Sequence, residues 1–567
     1  MDYSLVMDIY SELIHELKKQ KKVTEKWLSQ LKKDLAVKYK VKELPTNFEI
    51  LLHCSAKELS ALRKKLLTKP TRTGSGVAPV AIMTKPYPCP HGKCIYCPGG
   101  VKSYFGSVPQ SYTGKEPATM RGRRNFYDSY LQIFNRLEQY VTLGHNCEKV
   151  ELIIMGGTFM ALPPKYREEF VYYSFKAMND FSGLFYRNGE FQFKRFKDFF
   201  EMPGEFKDKQ RVKLIHQKIL KEKAKKKRTL IQEQKRNETA MIRCVALCIE
   251  TRPDYGGLKE GKEMLRLGCT RVELGVQSVY NKVLNFVDRG HGLEETKKSF
   301  AILRDLGFKI SAHYMPGLPL TSYSKDLAGM KQLFTDEGLR PDMLKLYPCQ
   351  VAPGTRLYRL YKEKKFKPLD LETAAKLIAE FKPFVPEYCR IQRIQRDVPS
   401  KYFVEGVGIT NLRQYIWEKY NPLCRCIRCR EPKEEVKIRE VEIKVIEYTA
   451  SGGKEFFIAA EDKTKKTIFG FCRLRFPARG LIPEIDGRTA IVRELHVYGT
   501  ATGLGGEGNH KRGVQHRGLG KRLLKTAEDL AKKAGKKKLA VISGVGVREY
   551  YKKLGYKREG SYMSKLL

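Results

Sequence analysis

Residues 77–100 read VAPVAIMTKPYPCPHGKCIYCPGG. The first seven are apolar and Pro86, Pro88 and Gly92 follow closely, so the stretch reads as a buried strand running into an irregular loop. That loop carries three cysteines, Cys89, Cys94 and Cys97, at x4 and x2 spacing. Ligands of α/β folds gather at the C-terminal ends of strands, where this loop falls. Five more runs repeat the pattern: KVELIIM (149–155), IRCVALCIE (242–250), RVELGVQ (271–277), FKISAHYM (308–315) and DMLKLYP (342–348). Helix-patterned stretches such as ETKKSFAILRDLG (295–307) separate them. Strands alternating with helices predict a parallel sheet. The expected fold class is α/β over residues 76–400, six βα units forming either an open sheet or a partial (βα)6 barrel. The runs are apolar almost throughout, as strands buried on both faces should be.

Outside this region the pattern changes twice. Ile9, Tyr10, Leu13, Ile14 and Leu17 recur at helical spacing, as do Trp27, Leu28, Leu31 and Leu35, and then Leu59, Leu62 and Leu66. These predict a small helical N-terminal region, 1–75, closed by KPTRTGSG (69–76). Beyond residue 435, IREVEIKVIEYTA, GGKEFFIAAEDK, TIFGFCRLRFP and AIVRELHVYG alternate as antiparallel strands. A Gly-rich stretch, a helix (LLKTAEDLAKKAG), a strand (KLAVISG) and a helix (VREYYKKLGY) follow, which predicts a C-terminal α+β domain, 435–567. Residues 401–434 are left as a linker.

The 567 residues carry a formal net charge of +45. That exceeds what solubility needs and points to a polyanionic partner. No run approaches the roughly 18 apolar residues of a spanning helix, and the charged N-terminus lacks a signal-peptide core. The expectation is a soluble cytoplasmic protein with no membrane contact. Lys207–Arg236 alone holds 13 basic and 3 acidic residues. It reads as a basic insert, either a solvated face or a phosphate-contacting surface.

The fourteen cysteines form no secreted-type disulfide framework; six fall in two tight clusters. The three thiolates of Cys89, Cys94 and Cys97 can hold three irons of a cubane cluster and leave the fourth iron open. A zinc knuckle completed by a distant ligand such as His91 is the alternative. The later strands end in Gly156-Gly157-Thr158-Phe159, Glu250-Thr251-Arg252-Pro253-Asp254, Gln277-Ser278 and His313-Tyr314-Met315-Pro316-Gly317. Of these, Gly156, Gly157, Thr158, Glu250 and Gln277 are expected to line a ligand site. The second cluster, Cys424, Cys426 and Cys429, reads as a zinc site or a second iron–sulfur cluster. A fourth ligand must come from elsewhere, Cys349 and Cys389 being candidates. In the C-terminal domain, Gln515, Arg517, Gly518, Leu519, Gly520 and Lys521 lead into a helix. Free amides at a helix N-terminus beside glycines make a pyrophosphate cradle.

The first cluster and its polar strand ends resemble the radical-SAM superfamily, with x4-x2 in place of the commoner x3-x2 spacing. EKVELIIMGGTFMALP, IETRPD, RVELGVQS, HYMPGLP and LYPCQVAPGT, together with the cluster loop, resemble the family of Elongator catalytic subunits in its stand-alone archaeal form. RELHVYG and AVISGVGVREYYKKLGY extend the resemblance through a GNAT-type acetyltransferase domain. The resemblance implies a [4Fe-4S] cluster, S-adenosylmethionine, acetyl-CoA and a structural zinc. It assigns Glu494, Leu495, His496 and Val497 to the strand facing the thioester. Tyr550 and Tyr551 would sit near it, and Lys149 would reach CoA from the radical domain. His496, Tyr551 and Glu494 are the candidates for catalytic groups. The implied reaction transfers an acetyl-CoA-derived group to C5 of uridine 34 of tRNA, giving 5-carboxymethyluridine, with both modules meeting at one face. The implied partner is a tRNA anticodon stem-loop. The N-terminal helices, the insert and RIQRIQRDVPSKY (390–402), with Arg390, Arg393 and Arg396, are expected to form its surface. The electron donor is not readable, and a homodimer stays open. The rival reading is a protein lysine acetyltransferase with a structural metal cluster, which a strongly basic surface disfavours because it repels basic proteins.

Overall fold

A computed structural model describes the chain except residues 1–2, 42, 56–57, 59–60, 64, 68–75, 203, 205–207, 397, 433–439, 465 and 500–517. The six expected strands are present: β1 (Ala78–Met83), β2 (Lys149–Met155), β5 (Arg243–Thr251), β6 (Arg271–Gln277), β7 (Lys309–Tyr314) and β8 (Met343–Leu346). A short hairpin, β3 (Tyr186–Arg187) and β4 (Glu190–Phe191), lies between the second and third. The six pair in parallel in chain order, and β9 (Arg390–Ile394) joins as a seventh at the edge. The stretch read as an RNA surface therefore begins as sheet.

The strands are not apolar on both faces. Val150, Leu152, Ile154, Val272, Leu274, Val276, Ile310 and Ala312 pack beneath the helices in one large core. Their alternates, among them Glu151, Arg271, Glu273, Ser311 and His313, point to the other side, because successive side chains of a strand alternate. Two charged positions in KVELIIM and two in RVELGVQ carried that signal.

The C-terminal sheet has the order β10-β11-β12-β13-β14-β16-β15. Its strands are β10 (Glu442–Ala450), β11 (Gly453–Glu461), β12 (Ile468–Phe476), β13 (Thr489–Val497), β14 (Lys538–Val541), β15 (Lys557–Glu559) and β16 (Tyr562–Leu566). The helix Leu519–Lys533 lays Leu523, Leu524, Ala527 and Ala531 on one face. The other face packs on the parallel domain, so Phe457, Ile491, Ala540 and Ile542 share its core.

A buried ionic layer forms that junction. Arg493 donates to both carboxylate oxygens of Asp342 (2.8 and 2.6 Å), to Glu455 and to the carbonyl of Phe308. Arg475 joins Asp305 and Glu455, and Arg473 joins Glu494 and the Tyr388 carbonyl. Phe308 and Asp342 immediately precede β7 and β8. The C-terminal domain thus caps the N-terminal ends of the parallel strands, opposite the cysteine loop.

At the N-terminus, the helices Tyr3–Lys19, Glu25–Lys38 and Asn47–His53 enclose a small core with Leu62 and Leu66. The third of these helices was not foreseen, and Leu59 lies outside the described residues. The basic insert folds into the helices Lys209–Ala224 and Leu230–Asn237. They bury Ile215, Ile219 and Leu230 while Lys209, Lys213, Lys221 and Lys225–Lys227 stay exposed. Among the described residues, no helix is long and apolar enough to cross a membrane.

Removing one member of the ionic layer strands its partners. Arg493→Ala leaves Asp342 and Glu455 undercompensated in the interior and is expected to destabilise the fold by about 3–5 kcal/mol. The exposed Lys525→Ala, which breaks an i,i+4 pair with Asp529, should leave the melting temperature unmoved. Thermal denaturation of both variants checks this.

Candidate active site

The C-terminal ends of the parallel strands surround a cavity of about 950 Å³. Cys89, Cys94 and Cys97 line it together with Gly157, Thr158, Glu250, Arg252, Gln277 and Arg289. Gly156 and Gly157 adopt φ of +143° and +92°. A Cβ on Gly156 would lie 1.9 Å from Thr84 Oγ1, so only glycine lets the chain turn here and bring Thr158 to 3.9 Å from the Cys89 sulfur. The Ser111 amide donates to Cys97 Sγ at 3.3 Å, and Arg289 points at Cys94 Sγ at 3.8 Å. Burial pushes the Cys89 thiol up to about 11 and raises Cys97 as well, so a cation beside these two sulfurs would favour their thiolates.

A mononuclear zinc would draw its sulfurs to roughly 3.8 Å from one another, given a Zn–S bond near 2.3 Å. Among the described residues, Cys424, Cys426 and Cys429 bring their sulfurs within 4.8 Å of one another, and Cys89, Cys94 and Cys97 do not. The wider set suits a multi-iron cluster, and the tighter one a single ion. His91 Nε2 lies 3.3 Å from Cys94 Sγ. Cys349 packs beside Cys94 and Cys97, which removes it as a ligand of the second cluster. Cys389 lies near Cys426 and its carbonyl accepts from the Ile427 amide.

The cavity holds unspent polar atoms. Gln277 sits at φ +70° with its buried Oε1 unpartnered, and Arg252, forked onto Asp254, leaves Nη1 unpartnered. An acceptor and a cation held ready at strand ends fit the amino and carboxylate groups of an amino-acid ligand. Deeper in, Glu273 accepts from Lys345, Arg271 and His313, while Glu250 accepts from Tyr112 at 2.7 Å. Glu250, Glu273 and His313 are close enough to bind an ion, but the Lys345 ammonium already supplies the cation. The helix Pro117–Arg124 brings Arg121, Arg123 and Arg124 to the cavity wall, joined by Arg136, Arg393 and Arg396. Sequence reading missed Lys345, Arg289 and the MRGRR run (120–124); only the run carried a local signal. Arg390, in contrast, does not line the cavity; its partly buried guanidinium is paired with Glu431, which sets it apart from Arg393 and Arg396 in the expected RNA surface.

The second site opens along β13. β14 pairs with Thr489–Val492, and a bulge at Arg473/Leu474 shifts the register with β12, so β13 continues past the end of the β14 pairing through Glu494–Val497. Leu495 and Val497 face the helix Leu519–Lys533. That helix starts after Gly518 (φ +73°), and among the described residues no side chain caps its first amides. A Cβ on Gly520 would meet the Tyr550 hydroxyl at 3.1 Å and Val497 at 3.8 Å, so these three residues converge. Lys521 is exposed; Gln515 and Arg517 lie outside the described residues. Tyr551 is buried in the core beside Tyr556.

Glu494 and His496 point the other way, into the domain junction. Burial would push the Glu494 carboxyl up, but Lys309 and Arg473 hold it down at about 2. A carboxylate so engaged is a weak base. His496 is half-buried, its Nε2 shielded and without a hydrogen-bond partner among the described residues; burial lowers its pKa, leaving a neutral imidazole stacked on Phe471 and edge-on to Tyr498. Lys149, the first residue of β2, is half-buried at the same end of the sheet, and its pKa is lowered by burial and then by Arg243.

The model of the Radical SAM superfamily matches residues 203–325, that of the Radical_SAM C-terminal domain 341–421 and that of the Acetyltransferase (GNAT) family 414–556. The fold and its two sites thus define a radical SAM enzyme joined to a GNAT acetyltransferase domain. The ELP3 N-terminal domain model matches residues 5–74. The chain is 43% identical to the protein named tRNA uridine(34) acetyltransferase of Methanocaldococcus infernus, across 100% of both chains. It is 37% identical to human Elongator complex protein 3 over 99% of this chain and 96% of that one. The solved structure of archaeal Methanocaldococcus infernus Elp3 lacking residues 1–46 superposes with a TM-score of 0.69 at 39% identity, covering 87% of this chain and 100% of that one. The chain belongs to the Elongator complex protein 3 family.

Glu494 gives the junction a pH signature. Its folded-state pKa, about 2, lies below the ordinary 4.5, so its contribution is complete above 4.5 and is lost as pH falls toward 2. Glu494→Gln should be less stable than wild type at pH 7 and should lose less stability between pH 4.5 and 2, as acid-unfolding curves of the two proteins will show.

Proposed function

We propose that this enzyme modifies uridine 34 of tRNA, transferring an acetyl-CoA-derived group to C5 of the base to give 5-carboxymethyluridine. The observation that carries the reading is the pairing of a cysteine-lined cavity with a β13 thioester cradle on opposite ends of one parallel sheet. Cys89, Cys94 and Cys97 hold a [4Fe-4S] cluster. Gln277 and Arg252 orient the amino and carboxylate groups of S-adenosylmethionine, and Glu250 approaches its ribose. Cluster and S-adenosylmethionine together supply a carbon radical able to take hydrogen from a methyl group. The Leu519–Gly520 amides and Lys521 take the CoA pyrophosphate, with Gln515 and Arg517 completing the cradle. Leu495, Val497 and Tyr550 hold the thioester arm, and Lys149 reaches it from β2. Neutral His496 is the acid–base candidate at this end, while Glu494 positions Lys309 and Arg473.

The parts divide as 1–75 for tRNA binding, 76–400 for the radical domain with its basic insert 207–236, 401–434 for a zinc-binding linker and 435–567 for the acetyl-CoA domain. Zinc on Cys424, Cys426 and Cys429 braces that linker against β9. The arginine-rich wall of the cavity and the exposed lysines of the insert engage the anticodon stem-loop, whose flipped base enters among the strand ends. The +45 charge favours this polyanion over the basic protein substrates of a lysine acetyltransferase.

Anaerobic reconstitution with iron and sulfide, then incubation with dithionite, S-adenosylmethionine, acetyl-CoA and tRNA, is the test. Nucleoside mass spectrometry should find 5-carboxymethyluridine with wild type and none with Cys94→Ala/Cys97→Ala. Acetylated protein with unmodified tRNA would sink the reading. For the linker, metal analysis should find one zinc per chain, lost in Cys426→Ser together with several degrees of melting temperature. An unchanged zinc content in that variant would remove the metal from this site.

A further inference from the structure

The two sites lie at opposite ends of the same strands, and the face between them is polar. β7 presents Lys309, Ser311 and His313 to that side, β6 presents Arg271 and Glu273, and the adjoining edge presents Lys345, Gln392 and Arg393. The interior of a parallel barrel is ordinarily a packed apolar core. Here Glu273 and Arg271 are almost wholly buried, and buried ions cost several kcal/mol each unless paired. The lower end of this column meets the C-terminal domain: Lys309 lies 3.5 Å from Glu494 of β13. The upper end opens into the cysteine-lined cavity, which Glu273, His313, Lys345 and Arg393 help to line. Four residues of β7 separate Lys309 from His313, about 13 Å at 3.3 Å per residue. The extended pantetheine arm of a CoA thioester can reach that far.

The tier between the two ends is divided. On one side Arg271 bridges Glu151 and Glu273 and lies 3.1 Å from Cys248 Sγ. On the other side, Ser311 donates to Gln392 Oε1 at 2.9 Å, a neutral pair that neither salt bridge includes. Chemistry at a methyl group beside the cluster requires the acyl end of the thioester to travel from β13 to the cavity, and the C-terminal domain covers the opposite strand ends. We propose that the polar inner face of the parallel sheet, along Lys309, Ser311 and His313, binds the acyl-pantetheine arm of a CoA thioester and leads its acyl end from the β13 cradle into the cysteine-lined cavity. This rests on the reading of β13 as the CoA site given above.

The test places a thiol in the path. Full-length, cluster-reconstituted Ser311→Cys is incubated with bromoacetyl-CoA. A thiolate at position 311 displaces bromide from the bromomethyl carbon, forming one S–C bond and releasing bromide, with the thiol proton passing to buffer. Peptide mapping should find the CoA adduct on residue 311, suppressed by excess acetyl-CoA. An unmodified residue 311, in protein that still binds acetyl-CoA by calorimetry, overturns the path; wild type that binds no acetyl-CoA overturns the CoA reading and the path with it. A second variant, Ser311→Trp, fills the path. Cleavage of S-adenosylmethionine to 5′-deoxyadenosine in the absence of acetyl-CoA should stay within twofold of wild type while tRNA product falls at least tenfold. Product at wild-type level in Ser311→Trp refutes the path. Should Ser311→Trp fail to fold, the adduct experiment decides alone.

Discussion

Asp342, at the entrance to β8, accepts two hydrogen bonds from Arg493 and lies beside Arg473, and all three are excluded from water. Arg475 extends the layer to Asp305 and Glu455. Such a cluster survives only if each ion is paired, because an unpaired buried charge costs far more than a poor apolar contact. Guanidinium suits the task, since its planar fork reaches a carboxylate and a carbonyl at once, as Arg493 does with Asp342 and Phe308. The layer ties the C-terminal domain to the starts of β7 and β8. It turns the faces of β13 that carry Glu494 and His496 toward the N-terminal ends of the parallel strands.

From that docking follows the arrangement of the two sites. The cysteine loop lies at the C-terminal ends of the parallel strands, and β13 meets their N-terminal ends through Glu494 and Lys309. They are connected by the inner side of one sheet. Each strand therefore does two things: its apolar alternates seal the helical layer, and its polar alternates form a charged interior. Val272 and Glu273, or Ile310 and Ser311, are neighbours in sequence and face different worlds.

Much of this was legible in the chain. The six parallel strands follow from periodicity and punctuation, and the cysteine spacings marked two candidate metal sites. What separates those two sites, the distance among their sulfurs, was not legible: x4-x2 and x1-x2 spacings both permit several geometries. Arg390 illustrates the same limit. In RIQRIQR its charge suggests a free basic edge, yet it is engaged by Glu431, a residue some forty positions on. Lys345 and Arg289 are isolated charges in apolar or mixed text, and nothing local announces that they face the cavity.

The sequence by itself determined the element order, the two modules, the two cysteine clusters and the glycines that turn the backbone at the strand ends, because these depend on neighbours within a few residues. Tertiary structure alone decided which faces became interior and which carboxylates were spent on arginines. It also decided that the two sites would look at each other through a sheet. Those outcomes depend on ion pairs between residues far apart in the chain, such as Lys309 with Glu494, and no local pattern encodes the partner of a buried charge.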